Sequence, residues 1–258
     1  MEFGSGKVLC EFVGENIALL TIQSPENANA LSEEINEGLL KSFNQLKDNN
    51  KVKAVIITGT NKFFIAGADI KNFPIGNFEL ARKYLKKQLE VFREIEQFPK
   101  PVIAAVNGVT LGGGLELTLF CDLVISSSRA KFGFPEGELG IIPPYAISRL
   151  MNIVGRRKTK ELLLLGTRFT AMEAEEMGLV NCIVDPEDLL SKALEWGNTL
   201  AEKAPFSLEL IKQGIDKDLG GVNEQYLIDA TTFLFGTEDF KEGIQAFKEK
   251  RKANFVGR

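Results

Sequence analysis

The 258-residue sequence predicts an α/β protein. Short β-rich runs alternate with amphipathic helical patterns through residues 1–185, the order expected of strands covered by helices. Glycine, proline and asparagine corners separate the runs. From residue 186 to 258 the pattern turns almost wholly helical, with breaks near Pro205, Gly220-Gly221 and Gly236. The chain therefore divides into a core, 1–185, and a C-terminal helical region, 186–258.

Val8–Phe12 and Ile17–Ile22 are β-rich, and Gly14-Glu15-Asn16 between them predicts a hairpin. Ser32 can N-cap a helix, with Glu33 and Glu34 in its first turn and Ile35, Leu39, Phe43 and Leu46 along one face. Val52–Thr58 reads as a short strand and Asn61–Phe73 as a loop. Glu79–Gln97 is a charged helix expected to turn Leu85, Leu89 and Phe92 inward. Pro99 and Pro101 punctuate the chain before the strand Val102–Val106. Leu123–Ser126 reads as another strand, Ala130–Phe134 as an extended piece, and Pro135–Glu138 as a turn carrying Glu136 and Glu138. Pro143-Pro144 can open a helix through Ile147 and Leu150, and Lys158–Leu165 predicts another. Thr170 and Glu173 have the spacing of a capping box for a helix ending at Gly178, and Val180–Val184 closes the core as a strand.

Composition narrows the chemistry. The formal charge of -4 and pI near 5.3 offer no global attraction to nucleic acid or an anionic membrane. The cysteines Cys10, Cys121 and Cys182 are far apart and odd in number, which fits a reducing cytoplasm rather than a disulfide framework. Met1–Lys7 lacks the pattern of a signal peptide, and no uncharged apolar run is long enough to span a bilayer. The count of zero histidines excludes Ser-His-Asp and Cys-His catalysis and the usual histidine metal sites. Proton transfer then falls to Asp, Glu, Lys, Tyr or Cys. An oxyanion must be held by backbone N–H groups, amides or cations.

The chain is organised around Asn107–Asp122, where the apolar run Val102–Val106 leads into Gly112-Gly113-Gly114 and a helix-like run from Leu115. Bare glycine backbone at a helix N-terminus offers unpaired N–H donors, and Glu116 sits just inside the apolar run. The stretch can be a tight strand-to-helix turn with a solvated glutamate, or a site that polarises a carbonyl and moves a proton. It has neither the Gly-Lys-Ser/Thr of a Walker loop nor a G-x-G-x-x-G, which argues against dinucleotide binding. The mixed-sign run Lys248–Lys252 reads first as a solvated helix face, with contact to a ligand's phosphates as the second reading.

Several motifs together resemble the crotonase (enoyl-CoA hydratase/isomerase) superfamily. Ala66-Gly67-Ala68-Asp69-Ile70, Asn107-Gly108 with Gly112-Gly113-Gly114-Leu115-Glu116, and Phe132-Gly133-Phe134-Pro135-Glu136 stand in the family's order. Asn29-Ala30-Leu31, Thr237-Glu238-Asp239 and Ala246–Arg251 extend the likeness over nearly the whole chain. The resemblance implies a crotonase-like spiral of β-β-α repeats, with C-terminal helices that build a homotrimer or homohexamer. It implies an acyl-CoA substrate and addition of water across the α,β double bond of an enoyl-CoA. No metal is implied, and no cofactor beyond the coenzyme A of the substrate itself. Glu116 would deprotonate water for attack on the β-carbon, and Glu136 would protonate the α-carbon. The N–H groups of Ala66 and Gly113 would form the oxyanion hole. Asn27, Ala28, Ala66, Gly67, Ala68, Asp69, Ile70 and Gly113 would bind the CoA thioester. Phe247 and Lys250 match positions that touch the adenine end from a neighbouring subunit.

One departure stands out. Pro144-Tyr145-Ala146-Ile147-Ser148 replaces the Gly-x-Gly-Gly usual in the hydratases. The family glycine supplies a backbone N–H near the acid pair that Pro144 lacks, and Tyr145 and Ile147 would reshape the acyl pocket. A double-bond isomerase, a hydratase of an unusual (for example alicyclic) enoyl-CoA and a non-catalytic CoA-thioester-binding protein are the alternatives. Glu138 takes the role of a surface carboxylate.

Overall fold

The computed structural model describes residues 1–73, 77–217 and 237–258. The predicted breaks at Gly220-Gly221 and Gly236 lie outside them. Strand β1 (Glu2–Phe3) pairs antiparallel with β2 (Val8–Val13), which forms the expected hairpin with β3 (Ile17–Ile22). Helix α1 (Glu33–Lys47) begins after Ser32, whose Oγ accepts from the Ile35 N–H at 3.3 Å. From there each repeat lays down two strands and then a helix. The first is β4 (Ala54–Gly59), β5 (Phe63–Ile65) and α2 (Phe78–Glu96). The second is β6 (Val102–Val106), β7 (Val109–Leu111) and α3 (Gly113–Thr118). The third is β8 (Leu123–Ser127), β9 (Lys131–Gly133) and α4 (Pro144–Leu165). Helix α4 is broken at Gly155, where φ is 76°, so it matches the two helices expected there. Strand β10 (Phe169–Thr170), the boxed helix α5 (Ala171–Glu176) and β11 (Cys182–Val184) complete the core.

The first strand of each repeat enters a seven-stranded sheet ordered β1-β2-β3-β4-β6-β8-β11, parallel from β3 onward. The second enters a four-stranded sheet ordered β10-β9-β7-β5. This is the predicted spiral of β-β-α repeats. Strand β5 falls in the stretch expected to be a loop and β7 carries no strand signal of its own, because three residues are too few to show alternation. Asn107 ties the two sheets at their corners. Its Oδ1 accepts from the Gly59 N–H at 3.0 Å, and its Nδ2 donates to the Phe63 carbonyl at 3.1 Å.

The central strands are apolar on both faces because both faces are covered. Val55 and Ile57 join the main core, while Ile56, Ile103 and Ile125 point the other way, toward Leu189 and Ala193 of α6 (Leu189–Ala201). Gly197 of α6 would place a Cβ 2.9 Å from Ile17 Cδ1, so the helix lies close on the sheet. The boundary at residue 186 is thus one of composition: α6 shares a core with the strands. Beyond it come α7 (Pro205–Lys217) and α8 (Glu238–Glu249). Lys212 of α7 reaches the core, where its ammonium meets Asp122 at 2.6 Å and donates to the Lys100 carbonyl at 2.9 Å. Among the described residues no helix is long and apolar enough to cross a membrane.

Candidate active site

The three glycines after β7 each answer a local demand. Gly112 has φ 48° and ψ -123°, and a Cβ on it would lie 2.6 Å from Glu136 Oε1. A Cβ on Gly114 would lie 2.1 Å from the Ile65 carbonyl oxygen, so β5 passes directly over it. A Cβ on Gly113 would lie 3.1 Å from Gln88 Nε2, 3.4 Å from Leu31 Cδ1 and 3.6 Å from Ala68 N.

Gly113 is the first residue of α3, where an N–H has no intrahelical acceptor. Ala68 forms a parallel bridge with Leu31: the Leu31 N–H donates to the Gly67 carbonyl at 2.8 Å, and the Asp69 N–H to the Leu31 carbonyl at 3.3 Å. Alternation along the extended chain turns the Ala68 N–H away from Leu31, and it has no hydrogen-bond partner among the described residues. The Ala66 N–H, expected beside Gly113 in an oxyanion hole, instead donates to the Ala28 carbonyl at 3.2 Å. The fold therefore brings Ala68 rather than Ala66 next to Gly113. A strand-like segment exposes every second N–H to one side, and the sequence does not show which parity is taken.

Glu116, in the first turn of α3, is buried at 3% exposure. Its Oε1 accepts from the N–H groups of Tyr145 and Ala146, both at 2.9 Å. These belong to the first turn of α4, whose opening residue is Pro144. Proline suits that position because its missing N–H would be an orphan there. Glu116 does not depend on the N–H that Pro144 lacks, because it takes its donors from the next two residues. Burial pushes the Glu116 carboxyl up to about 7; the backbone bonds oppose this and nearby Glu136 adds to it.

Glu136 lies in the 3₁₀ turn Pro135–Leu139 that follows β9, and is buried. Its Oε2 is buried and has no partner among the described residues. Burial raises its pKa as well. Glu138, two residues on, is exposed, as expected of a surface carboxylate.

Both glutamates line a cavity of ≈ 340 Å³. Asn27 and Ala28, the stretch Ala66 through Ile70, and Gly113 line it too. Lys250, exposed and with φ 53°, does not, and the Phe247 side chain lies outside the described residues. Tyr145 lines the cavity with its hydroxyl donating to the Leu85 carbonyl at 2.6 Å and its ring 5.2 Å from that of Phe92. Ile147 does not line it and is 47% exposed, so its expected effect on pocket shape is absent. Leu85, expected inward, is 44% exposed at the cavity, and Gln88 is buried in its place. Gln88 and Tyr84 were missed as pocket residues; their spacing of one helical turn was the available signal.

Two buried carboxylates face a cavity edged by the Ala68 and Gly113 N–H groups, which have no partner among the described residues. The family description Enoyl-CoA hydratase/isomerase matches residues 13–258, nearly all of the chain. The chain belongs to the enoyl-CoA hydratase/isomerase family.

Relatives in this family span almost its full length. A crotonyl-CoA hydratase of Syntrophomonas wolfei is 39% identical over 249 residues, 95% of this chain and 96% of its own. A short-chain-enoyl-CoA hydratase of Clostridium acetobutylicum is 38% identical over 241 residues, 92% of each chain. The solved enoyl-CoA hydratase of Bacillus anthracis superposes with a TM-score of 0.93 at 34% identity, covering 98% of this chain and 100% of that one. Within the family fold, α3 and α4 hold Glu116 between two helix N-termini, and β9 delivers Glu136.

Proposed function

We propose that this protein hydrates the α,β double bond of an enoyl-CoA thioester. The observation that carries the reading is the pair of buried, pKa-raised carboxylates on one cavity with the Ala68 and Gly113 N–H groups. Those two donors take the thioester oxygen, with Ala68 replacing Ala66 in that role. Glu116, fixed by two backbone bonds, removes a proton from water as its oxygen attacks the β-carbon. The electron pair of the double bond moves toward the thioester, where the two N–H groups hold the enolate oxygen. Glu136, without a donor on Oε2, carries the proton that the α-carbon then receives. Two carboxyls whose pKa values burial raises, that of Glu116 to about 7, can supply one base and one acid. The hydratase names of the relatives support the same reaction.

Asn27, Ala28 and the Ala66–Ile70 stretch are the proposed cradle for the CoA end, with Phe247 and Lys250 reaching a neighbour's adenine. A trimer or hexamer fits the exposed apolar residues Leu164 and Leu165, at 79% and 66%, and Ile215 at 67%. Sedimentation as a monomer at micromolar concentration would remove the oligomer. Free cysteines fit a cytoplasmic setting. The direct test is loss of the enoyl-thioester absorbance of crotonyl-CoA in isotope-labelled water. The expected product carries the label as a new hydroxyl oxygen. Migration of a double bond without label would point to an isomerase, and an untouched thioester to a binding protein.

A further inference from the structure

Three buried polar atoms on the cavity have no hydrogen-bond partner among the described residues: Glu136 Oε2, Tyr84 Oη and Gln88 Nε2. The first belongs to the acid pair. The other two do no work in the reaction above. Tyr84 and Gln88 are one turn apart on α2, so they lie on the same helix face. Gln88 is 3% exposed, and its Nε2 comes within 3.1 Å of the Cβ position of Gly113. The Tyr84 ring packs edge-on against Phe73 at 5.6 Å.

An amide and a phenol are poor lining for a pocket that takes only hydrocarbon. Burying each without a partner is unfavourable, and an acyl chain of bare methylenes would leave both unpaired. Building on the hydratase reading, we propose that Gln88 and Tyr84 form a polar subsite for an uncharged oxygen on the acyl group, so that the substrates are oxygen-bearing enoyl-CoA thioesters. Gln88 Nε2 donates to that oxygen, and the Tyr84 hydroxyl donates or accepts beside it. The closeness of Nε2 to Gly113 places the oxygen near the reacting double bond, not at the end of a long chain. A hydroxyl, oxo or ether oxygen fits and a carboxylate does not. Glu116, Glu136 and Asp69 already line the cavity, and the Lys71 ammonium there donates to Asn27 Oδ1 at 3.0 Å. Burial and the Asp69 carboxylate push the Tyr84 hydroxyl up to about 12, so it keeps its proton as a donor.

Sites that hydrogen-bond a substrate oxygen discriminate strongly against the analogue that lacks it. The experiment compares crotonyl-CoA with 4-hydroxybut-2-enoyl-CoA, of equal carbon count, in wild type, Gln88→Met and Tyr84→Phe. Both substitutions keep the bulk of the side chain. The expected result is a kcat/KM at least ~10²-fold higher for the hydroxylated substrate in wild type, falling to within ~10-fold in Gln88→Met through loss on that substrate alone. Tyr84→Phe is expected to lie between. A wild type that prefers crotonyl-CoA overturns the proposal. So does a Gln88→Met variant that slows both substrates equally, since the amide would then serve the thioester common to both. Hydration of neither substrate would instead count against the hydratase reading on which the subsite rests. Circular dichroism and thermal melts of both variants separate misfolding from loss of recognition.

Discussion

Replacing Glu116 with glutamine is expected to stabilise the protein at high pH while it removes the base. In the folded state the Glu116 carboxyl holds its proton up to about 7, against an ordinary value of 4.5. Between those values the folded chain binds a proton that the unfolded chain has released. Stability therefore falls as pH rises through this window, and the loss is complete above about 7. The interval, at about 1.4 kcal/mol per pH unit, corresponds to roughly 3 kcal/mol as an upper bound. Glutamine keeps an oxygen for the Tyr145 and Ala146 N–H groups and never ionises. Its new NH₂ must find a partner in the cavity, which reduces the gain to about 1–3 kcal/mol. For a chain of this size each kcal/mol moves Tm by about 2–4 °C. The assay is thermal unfolding of wild type and Glu116→Gln at pH 5 and pH 8, at one protein concentration so that assembly does not contribute. At pH 5 the variant should melt level with wild type or slightly below it, and at pH 8 above it. A variant that melts lower at pH 8, or a difference that does not change with pH, would refute the reasoning that burial of an ionising Glu116 destabilises the fold.

The remaining predictions concern the reaction and its scaffold. Glu116→Gln and Glu136→Gln should each lower turnover by at least about 10²-fold with little change in CoA-ester affinity, measured by steady-state kinetics and calorimetry. Near-normal turnover in either would remove that residue from the proton path. Pro144→Ala leaves the Tyr145 and Ala146 donors in place, so the acidic limb of kcat/KM should coincide with that of wild type. A limb moved to lower pH would show that the restored N–H reaches the acid pair. Gly114→Ala would drive a Cβ to 2.1 Å from the Ile65 carbonyl oxygen, a backbone atom that cannot swing aside. It should cost at least about 3 kcal/mol or prevent soluble expression, and a melt within a few degrees of wild type would contradict that.

Much of the fold was legible because each local signal had a direct physical cause. Ser32 and the Thr170/Glu173 box mark real helix starts, since their side chains satisfy N–H groups that nothing nearby could. The glycine triplet marked the site because a backbone carbonyl and a carboxylate approach where side chains would stand. The short strands β5, β7 and β10 carried no such mark. They exist because neighbouring repeats supply their hydrogen-bond partners, which is a long-range condition. Leu85 was misread and Gln88 missed for a related reason. Helical periodicity says which residues share a face, but the cavity side of that face accepts polar groups and the core side does not.

The sequence by itself determined the class of protein: an α/β chain without histidine, bearing Glu116 just after a glycine triplet and Glu136 in a turn, with glycines where backbone must come close. These follow from residue identity and local spacing. The tertiary structure alone decided that Ala68, not Ala66, faces Gly113, because the parallel bridge to Leu31 and the bond from Ala66 to Ala28 set which N–H groups point inward. It also decided that Glu116 is gripped by the first turn of a helix that begins 28 residues later, with Tyr145 N and Ala146 N as the donors. It is packing that brings such distant residues within hydrogen-bonding distance, and burial there that lifts the carboxyl toward neutrality.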